Sequence, residues 1–241
     1  MKPFRLITSL LLEDERLIKT IQFKKPQYIG EPINAVKIFS SKGVDELLVL
    51  DKTQHGINFD LLEQIFGEAF MPVTYGGSIR TMADVDRLFS IGVDKVLIKR
   101  LANQPDVIQE ISEKYGEQSI SVCVNVTRKS KWFAKTAHCN VRDLNAYVEQ
   151  LSALPIGEIV IQDVDREGTL RGLDFELAEV VDFTSKPIVL SGGFNHFDEC
   201  RPAMECGLSG VAAGSRFVYN KGIGSVLLNY PFDQLNKLVY G

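Results

Sequence analysis

The chain has 241 residues, 45% of them hydrophobic and 24% charged, with a formal net charge of −4, which is the composition of an ordinary globular protein. That charge lacks the basic excess a nucleic-acid partner calls for, and no apolar run reaches the length needed to cross a bilayer. The first residues, Met-Lys-Pro-Phe-Arg, lead into a strand and then charges with no small-residue cleavage site, so a cytoplasmic protein is expected.

In chain order, residues 4–12 are apolar enough for a buried strand, and 17–23 read as a short extension beyond the charged turn 13–16. Residues 31–41 place Ile33, Val36, Ile38 and Phe39 at helical spacing, with Gly43 suited to the helix end. Glu-Leu-Leu-Val-Leu-Asp at 46–51 is a continuous apolar run ending in a carboxylate, as in parallel sheets covered on both faces. The alternation then predicts helix 59–68, strand 71–75, helix 81–91, strand 94–99, helix 105–115, strand 118–126, helix 142–153 and strand 158–163. It continues with helix 173–182, strand 186–191, helix 196–206, strand 209–213 and a final helix near 222–238. Eight strands with helices between and after them predict a single (β/α)8 TIM barrel, whose chemistry collects at the C-terminal ends of its strands. An open doubly wound sheet is disfavoured, because no G-x-G-x-x-G follows the first strand.

Two stretches echo each other: residues 71–79, Met-Pro-Val-Thr-Tyr-Gly-Gly-Ser-Ile, and residues 186–194, Lys-Pro-Ile-Val-Leu-Ser-Gly-Gly-Phe. Each is a β-type run after a Pro, then a Gly pair whose backbone N–H groups can approach an anion. Downstream, 91–98 ends in Lys99 and Arg100 as 206–213 ends in Gly214 and Ser215. A repeat of this size predicts two similar half-barrels, about 1–118 and 119–241. Cys123, Cys139, Cys200 and Cys206 show no C-x-x-C spacing and do not group with His55, His138 or His196, so reduced thiols and no metal centre are expected.

On such a barrel the strand ends mark the site: Leu11 and Asp14, Asp51, Gly76 to Ser78, Lys99 and Arg100, Asn125 and Arg128, Asp163 to Gly168, Ser191 to Gly193, and Gly214 with Ser215. The last two groups follow the seventh and eighth strands, the usual barrel phosphate site, and the matched loops of the first half suit a second phosphate.

Residues 161–172, Ile-Gln-Asp-Val-Asp-Arg-Glu-Gly-Thr-Leu-Arg-Gly, together with 43–51, 75–79 and 191–193, resemble the cyclase subunit of imidazole glycerol phosphate synthase, over essentially the whole chain. The resemblance implies a barrel that receives ammonia from a separate glutaminase subunit docked at its N-terminal face and passes it to a bis-phosphorylated ribulosyl substrate. It implies no cofactor. It implies phosphate binding at Gly77, Gly168, Gly192, Gly193, Gly214 and Ser215, and an ammonia gate at Arg5, Glu46, Lys95 and Glu158. At the fourth strand the family's Asn-Thr is replaced by Lys99 and Arg100, two cations that could hold a bulkier phosphate. The family's two acid–base aspartates are replaced by Leu11 and Asn125, neither of which exchanges a proton near neutral pH. Such groups contribute about 10²–10⁴-fold each, so their loss is expected to cripple ring closure. Asp51, Asp165 and Glu167 remain as carboxylates of the mouth, and Lys19 matches a family position near the substrate. The gate and phosphate grips without the acids favour ammonia delivery to a different acceptor, as implied for relatives associated with amidino sugars of surface polysaccharides. The alternative is a cyclase of histidine biosynthesis with rearranged acid–base groups.

Overall fold

The structure, a computed structural model, describes residues 4–128, 138–140, 144–220, 222 and 224–230. Eight strands form the barrel: β1 (Arg5–Glu13), β2 (Glu46–Asp51), β3 (Val73–Gly76), β4 (Lys95–Ile98), β5 (Ile120–Thr127), β6 (Glu158–Asp163), β7 (Ile188–Ser191) and β8 (Gly210–Ala213). Each runs parallel to the next, and β8 pairs back onto β1 with Arg5 opposite Gly210 and Thr8 opposite Ala213, which closes the sheet. The predicted (β/α)8 barrel is therefore the observed fold.

The apolar runs are continuous because both faces of each strand are buried, against different neighbours. Outward residues such as Val49, Tyr75, Val96, Val122 and Ile159 pack under the helices in one large core. Inward residues Ile7, Leu48, Leu97, Val160, Val189 and Ala212 make a separate cluster that fills the barrel. The helices are α1 (Pro32–Ser41), α2 (Phe59–Phe66), α3 (Met82–Ser90), α4 (Pro105–Tyr115), α5 (Leu144–Ser152), α6 (Cys200–Glu205) and α7 (Ser215–Val218). Local sequence starts them: Pro opens α1 and α4, the Asn58 side chain caps α2, and Thr81 with Asp84 forms a reciprocal capping box on α3.

Three expectations are corrected. The extension of β1 is one arm of an antiparallel hairpin, Arg16–Ile21 paired with Lys24–Gly30, whose second arm is almost wholly exposed and lacked any apolar signal. The helix predicted over 173–182 is a 3-10 helix, Phe175–Phe183, and the one over 196–206 opens as a 3-10 turn before α6. The final helix near 222–238 does not form where the chain is described: Ser225–Val226 pairs with Tyr219–Asn220, after Gly224 takes a positive φ of 64°. The rest of that stretch lies outside the described residues. Beyond β5 a further short strand, His138–Asn140, lies parallel to its end, with Val126 opposite Cys139.

Equivalent hydrogen bonds recur in the two halves. Lys52 N donates to Leu12 O at 2.8 Å as Val164 N does to Val126 O at 3.0 Å, and Leu47 N donates to Pro72 O as Ile159 N does to Pro187 O, both at 2.9 Å. Thr53 N donates to the Asp51 carboxylate as Asp165 N does to that of Asp163.

Candidate functional site

Strand alternation sets the contents of the barrel layer by layer. Arg5, Glu46, Lys95 and Glu158 each begin a strand and turn inward at the N-terminal end, where they form a closed ring of alternating charge. Arg5 bridges Glu46 at 2.5 Å and Glu158 at 2.7 Å, while Lys95 bridges Glu46 at 3.0 Å and Glu158 at 3.4 Å. The Thr74 hydroxyl donates to Glu46 at 2.8 Å and the Ser121 hydroxyl to Glu158 at 2.6 Å, so β3 and β5 also brace the ring. Burial pushes the Glu158 carboxyl up, but Arg5, Lys95 and Ser121 outweigh it and hold the group below the ordinary glutamate range. Parity places Thr74 and Ser121 inward, each on a strand whose outward neighbours are apolar, but does not say which layer of the barrel they join. Directly above the ring lies the apolar cluster centred on Leu48, Leu97 and Val160.

The C-terminal mouth holds two adjoining lobes that share Leu11, Phe23, Leu50 and Gln162. The first is a slot of about 60 Å³ bounded by Lys19, Glu167, Gly168, Gly192, Gly193, Gly214 and Ser215. The second, of about 610 Å³, is bounded by Asp51, Gly77, Lys99, Arg100, Cys123 and Asn125. The structure thus brings the predicted phosphate residues together in two groups, one in each half of the barrel. Gly77 and Gly192 are matched: a Cβ would fall 2.3 Å from Asp51 O at the first and 2.4 Å from Asp163 O at the second, so only glycine lets these turns close.

The carboxylates of the mouth are committed to loops. Asp51 accepts from the Tyr75 hydroxyl at 2.9 Å and from Thr53 N at 2.8 Å; burial of the Tyr75 phenol, then the Asp51 charge beside it, raise that phenol. Asp165 accepts from Arg128 N at 2.8 Å and the Thr127 hydroxyl at 3.2 Å. Glu167 accepts from the Thr20 hydroxyl at 2.8 Å and Phe23 N at 2.6 Å, pinning the hairpin across the first lobe. Lys19 projects from that hairpin with its ammonium 5.0 Å from the centre of the Tyr219 ring; burial lowers its proton affinity against the pull of Glu167. Leu11 and Asn125 face the second lobe, where Asn125 Oδ1 accepts from the Cys123 thiol at 3.4 Å.

Sequence reasoning gave no particular role to two further groups. Cys123 faces the second lobe beside Lys99: burial pushes the thiol up to about 11 although Lys99 pulls it down, and burial lowers the Lys99 amine. Arg166 donates to the carbonyls of Gly172 and Leu173 and faces Asp163 and Asp174, so it ties the β6 loop together. Asp14 lies on the exposed turn before the hairpin and gives its backbone N–H to the Thr53 hydroxyl. Among the described residues no group of three or more His, Cys, Asp and Glu could hold a metal ion, and no helix is long and apolar enough to cross a membrane. The side chains of His138 and Cys139 lie outside what is described.

A family model described as histidine biosynthesis protein matches residues 5–223. The chain is 36% identical to a protein of Pseudomonas aeruginosa named provisionally as imidazole glycerol phosphate synthase subunit hisF2, over 98% of each chain. It is 36% identical to a provisionally named HisF subunit of Leptospira borgpetersenii, over 94% of each. It is also 34% identical to the imidazole glycerol phosphate synthase subunit HisF of Streptomyces coelicolor, over 88% of this chain and 89% of the relative.

Proposed function

Because the chain belongs to the histidine biosynthesis protein family, among HisF-like subunits, we propose that it is the barrel subunit of a glutamine amidotransferase that delivers ammonia to an acceptor other than the usual ribulosyl substrate. A glutaminase docks at the N-terminal face and releases ammonia at the ring of Arg5, Glu46, Lys95 and Glu158. Ammonia passes as the neutral molecule, since the apolar layer above the ring would impose on ammonium a desolvation penalty of several kcal/mol. The acceptor is phosphorylated, with its anionic group held by the backbone turns at Gly168, Gly192, Gly193, Gly214 and Ser215, or by Gly77 with Arg100.

The observation that carries the reading is the combination of an intact charged ring with a mouth whose two acid–base positions are Leu11 and Asn125. The remaining carboxylates, Asp51, Asp165 and Glu167, each accept hydrogen bonds from one strand side chain and one backbone N–H of a neighbouring turn. One observation favours the cyclase alternative: Lys19, with its lowered proton affinity, shares the first lobe with Glu167, a pairing able to move a proton.

The test supplies purified protein with the bis-phosphorylated ribulosyl substrate and excess ammonium at alkaline pH, and follows carboxamide ribotide. The expected result is binding without turnover by folded protein, and turnover at an ordinary cyclase rate would overturn the delivery reading.

A further inference from the structure

β4 directs alternate side chains into the barrel, so Lys95, Leu97 and Lys99 stand one above another. Lys95 belongs to the charged ring, Leu97 to the apolar cluster, and Lys99 to the layer where the barrel opens into the second lobe. Lys99 therefore sits where anything leaving the apolar layer enters the larger cavity. The groups that share this cavity with it are Cys123 and Asn125 on β5, Gln162 on β6, Leu11 on β1, and Asp51 with Lys52 on the β2 side. The Asp51 carboxylate is taken up by Tyr75 and Thr53, and Lys52 reaches Glu13 at 3.2 Å. Beyond Lys99, the exposed Arg100 and the Gly76 to Ser78 turn line the same cavity.

An amine in a largely apolar cavity, beside an anion-binding rim, is placed to react with a carbonyl. We propose that Lys99 is a reactive amine of the second lobe, which takes a phosphorylated acceptor bearing an aldehyde or ketone. The proposal rests on the delivery reading and names the acceptor class for it. The neutral amine nitrogen adds to the carbonyl carbon, the oxygen leaves as water with the two amine protons, and an imine joins Lys99 to the acceptor. Ammonia emerging from the barrel adds to the imine carbon. Two protons pass in turn from the incoming nitrogen to the lysine nitrogen, the first giving a gem-diamine and the second releasing the neutral Lys99 amine as its bond to the carbon breaks. The acceptor leaves as its imine, and the sum is carbonyl plus ammonia giving imine plus water, with no oxidant or reductant required. Burial, which lowers the proton affinity of Lys99, keeps more of the amine in the neutral form this step needs.

The probe is pyridoxal 5′-phosphate, which carries both an aldehyde and a phosphate, followed by borohydride reduction and peptide mapping of the labelled lysines. Lys99 is expected to label at least several-fold faster than the exposed surface lysines Lys37 and Lys114, with half-maximal labelling below pH 10.5. Inorganic phosphate should slow Lys99 labelling and leave Lys37 unaffected, Arg100→Gln should weaken that phosphate dependence, and Lys99→Met should remove the fast site while circular dichroism shows a folded barrel. Labelling of Lys99 no faster than Lys37, or equally fast with unphosphorylated pyridoxal, would overturn the proposal. Neither result touches ammonia delivery, which is read separately from partner-dependent glutamine hydrolysis.

Discussion

At the scale of single residues, the mouth is defined as much by two substitutions as by what it retains. Leu11 and Asn125 line the second lobe at the two positions where the resemblance implies acid–base aspartates. Restoring them with Leu11→Asp and Asn125→Asp should confer measurable carboxamide ribotide formation with ammonium, and a double variant as inert as the parent would show that more than the acids has changed. Asp51, by contrast, serves the wall: Tyr75→Phe removes the donor to a buried carboxylate and should destabilise the barrel by about 1–3 kcal/mol in urea unfolding. At the ring, Glu46→Lys sets three cations against one carboxylate; it should abolish stimulation of glutamine hydrolysis by the barrel while the variant still folds. The ring residues were legible in the sequence through the family resemblance, and the structure shows why they meet: each begins a barrel strand with its side chain inward. The ring's hydroxyl braces and the Lys99–Cys123–Asn125 grouping were not legible, because they depend on which inward residues share a layer, and that follows from barrel stagger rather than from spacing along the chain.

At the scale of elements, the parallel strands were legible from continuous apolar runs, and most helices from periodicity bounded by Pro, Thr or Asn. The hairpin was half legible: Arg16–Ile21 buries Leu17, Ile18 and Thr20, whereas Lys24–Gly30 buries only Ile29 and reads as solvated chain. Where it is described, the start of the predicted final helix does not form for a local reason, since glycines at 222 and 224 cost a helix roughly 1 kcal/mol each and Gly224 turns the chain left-handed. The hairpin carries Lys19 and Phe23 over the mouth, and besides strand pairing it is held by Glu167 and by contacts of Gln22 with the backbone of Asp165 and Glu167. Glu167→Ala removes the acceptor for both the Thr20 hydroxyl and Phe23 N. Hydrogen exchange across 16–30 should accelerate in that variant while the amides of α1 to α4 keep their protection, and unchanged exchange would show that strand pairing alone fixes the hairpin.

At the scale of the whole molecule, the closed sheet gives the barrel a polar end and a binding end separated by an apolar layer. The polar end makes stability depend on acid. Glu158 has a folded-state proton affinity below its unfolded value of 4.5, so the stabilisation it brings is fully present above that value and is lost as pH falls through the lower, folded one. Thermal unfolding followed from pH 6 to pH 3.5 should show the midpoint falling below about pH 4.5, with a shallower fall in Glu158→Gln. The matched hydrogen bonds of the two halves bear on the mouth as well. Turns of matched geometry at Gly77 and Gly192 would offer a ligand phosphorylated at both ends two similar ways to lie. Lys99 and Arg100 break that equivalence, because their counterparts in the other half are Gly214 and Ser215. Glycine turns beside Lys19 and Glu167 line one end of the mouth and Lys99 with Arg100 line the other, a difference that would tell head from tail in a bound molecule, and with them which of its carbons faces the interior of the barrel.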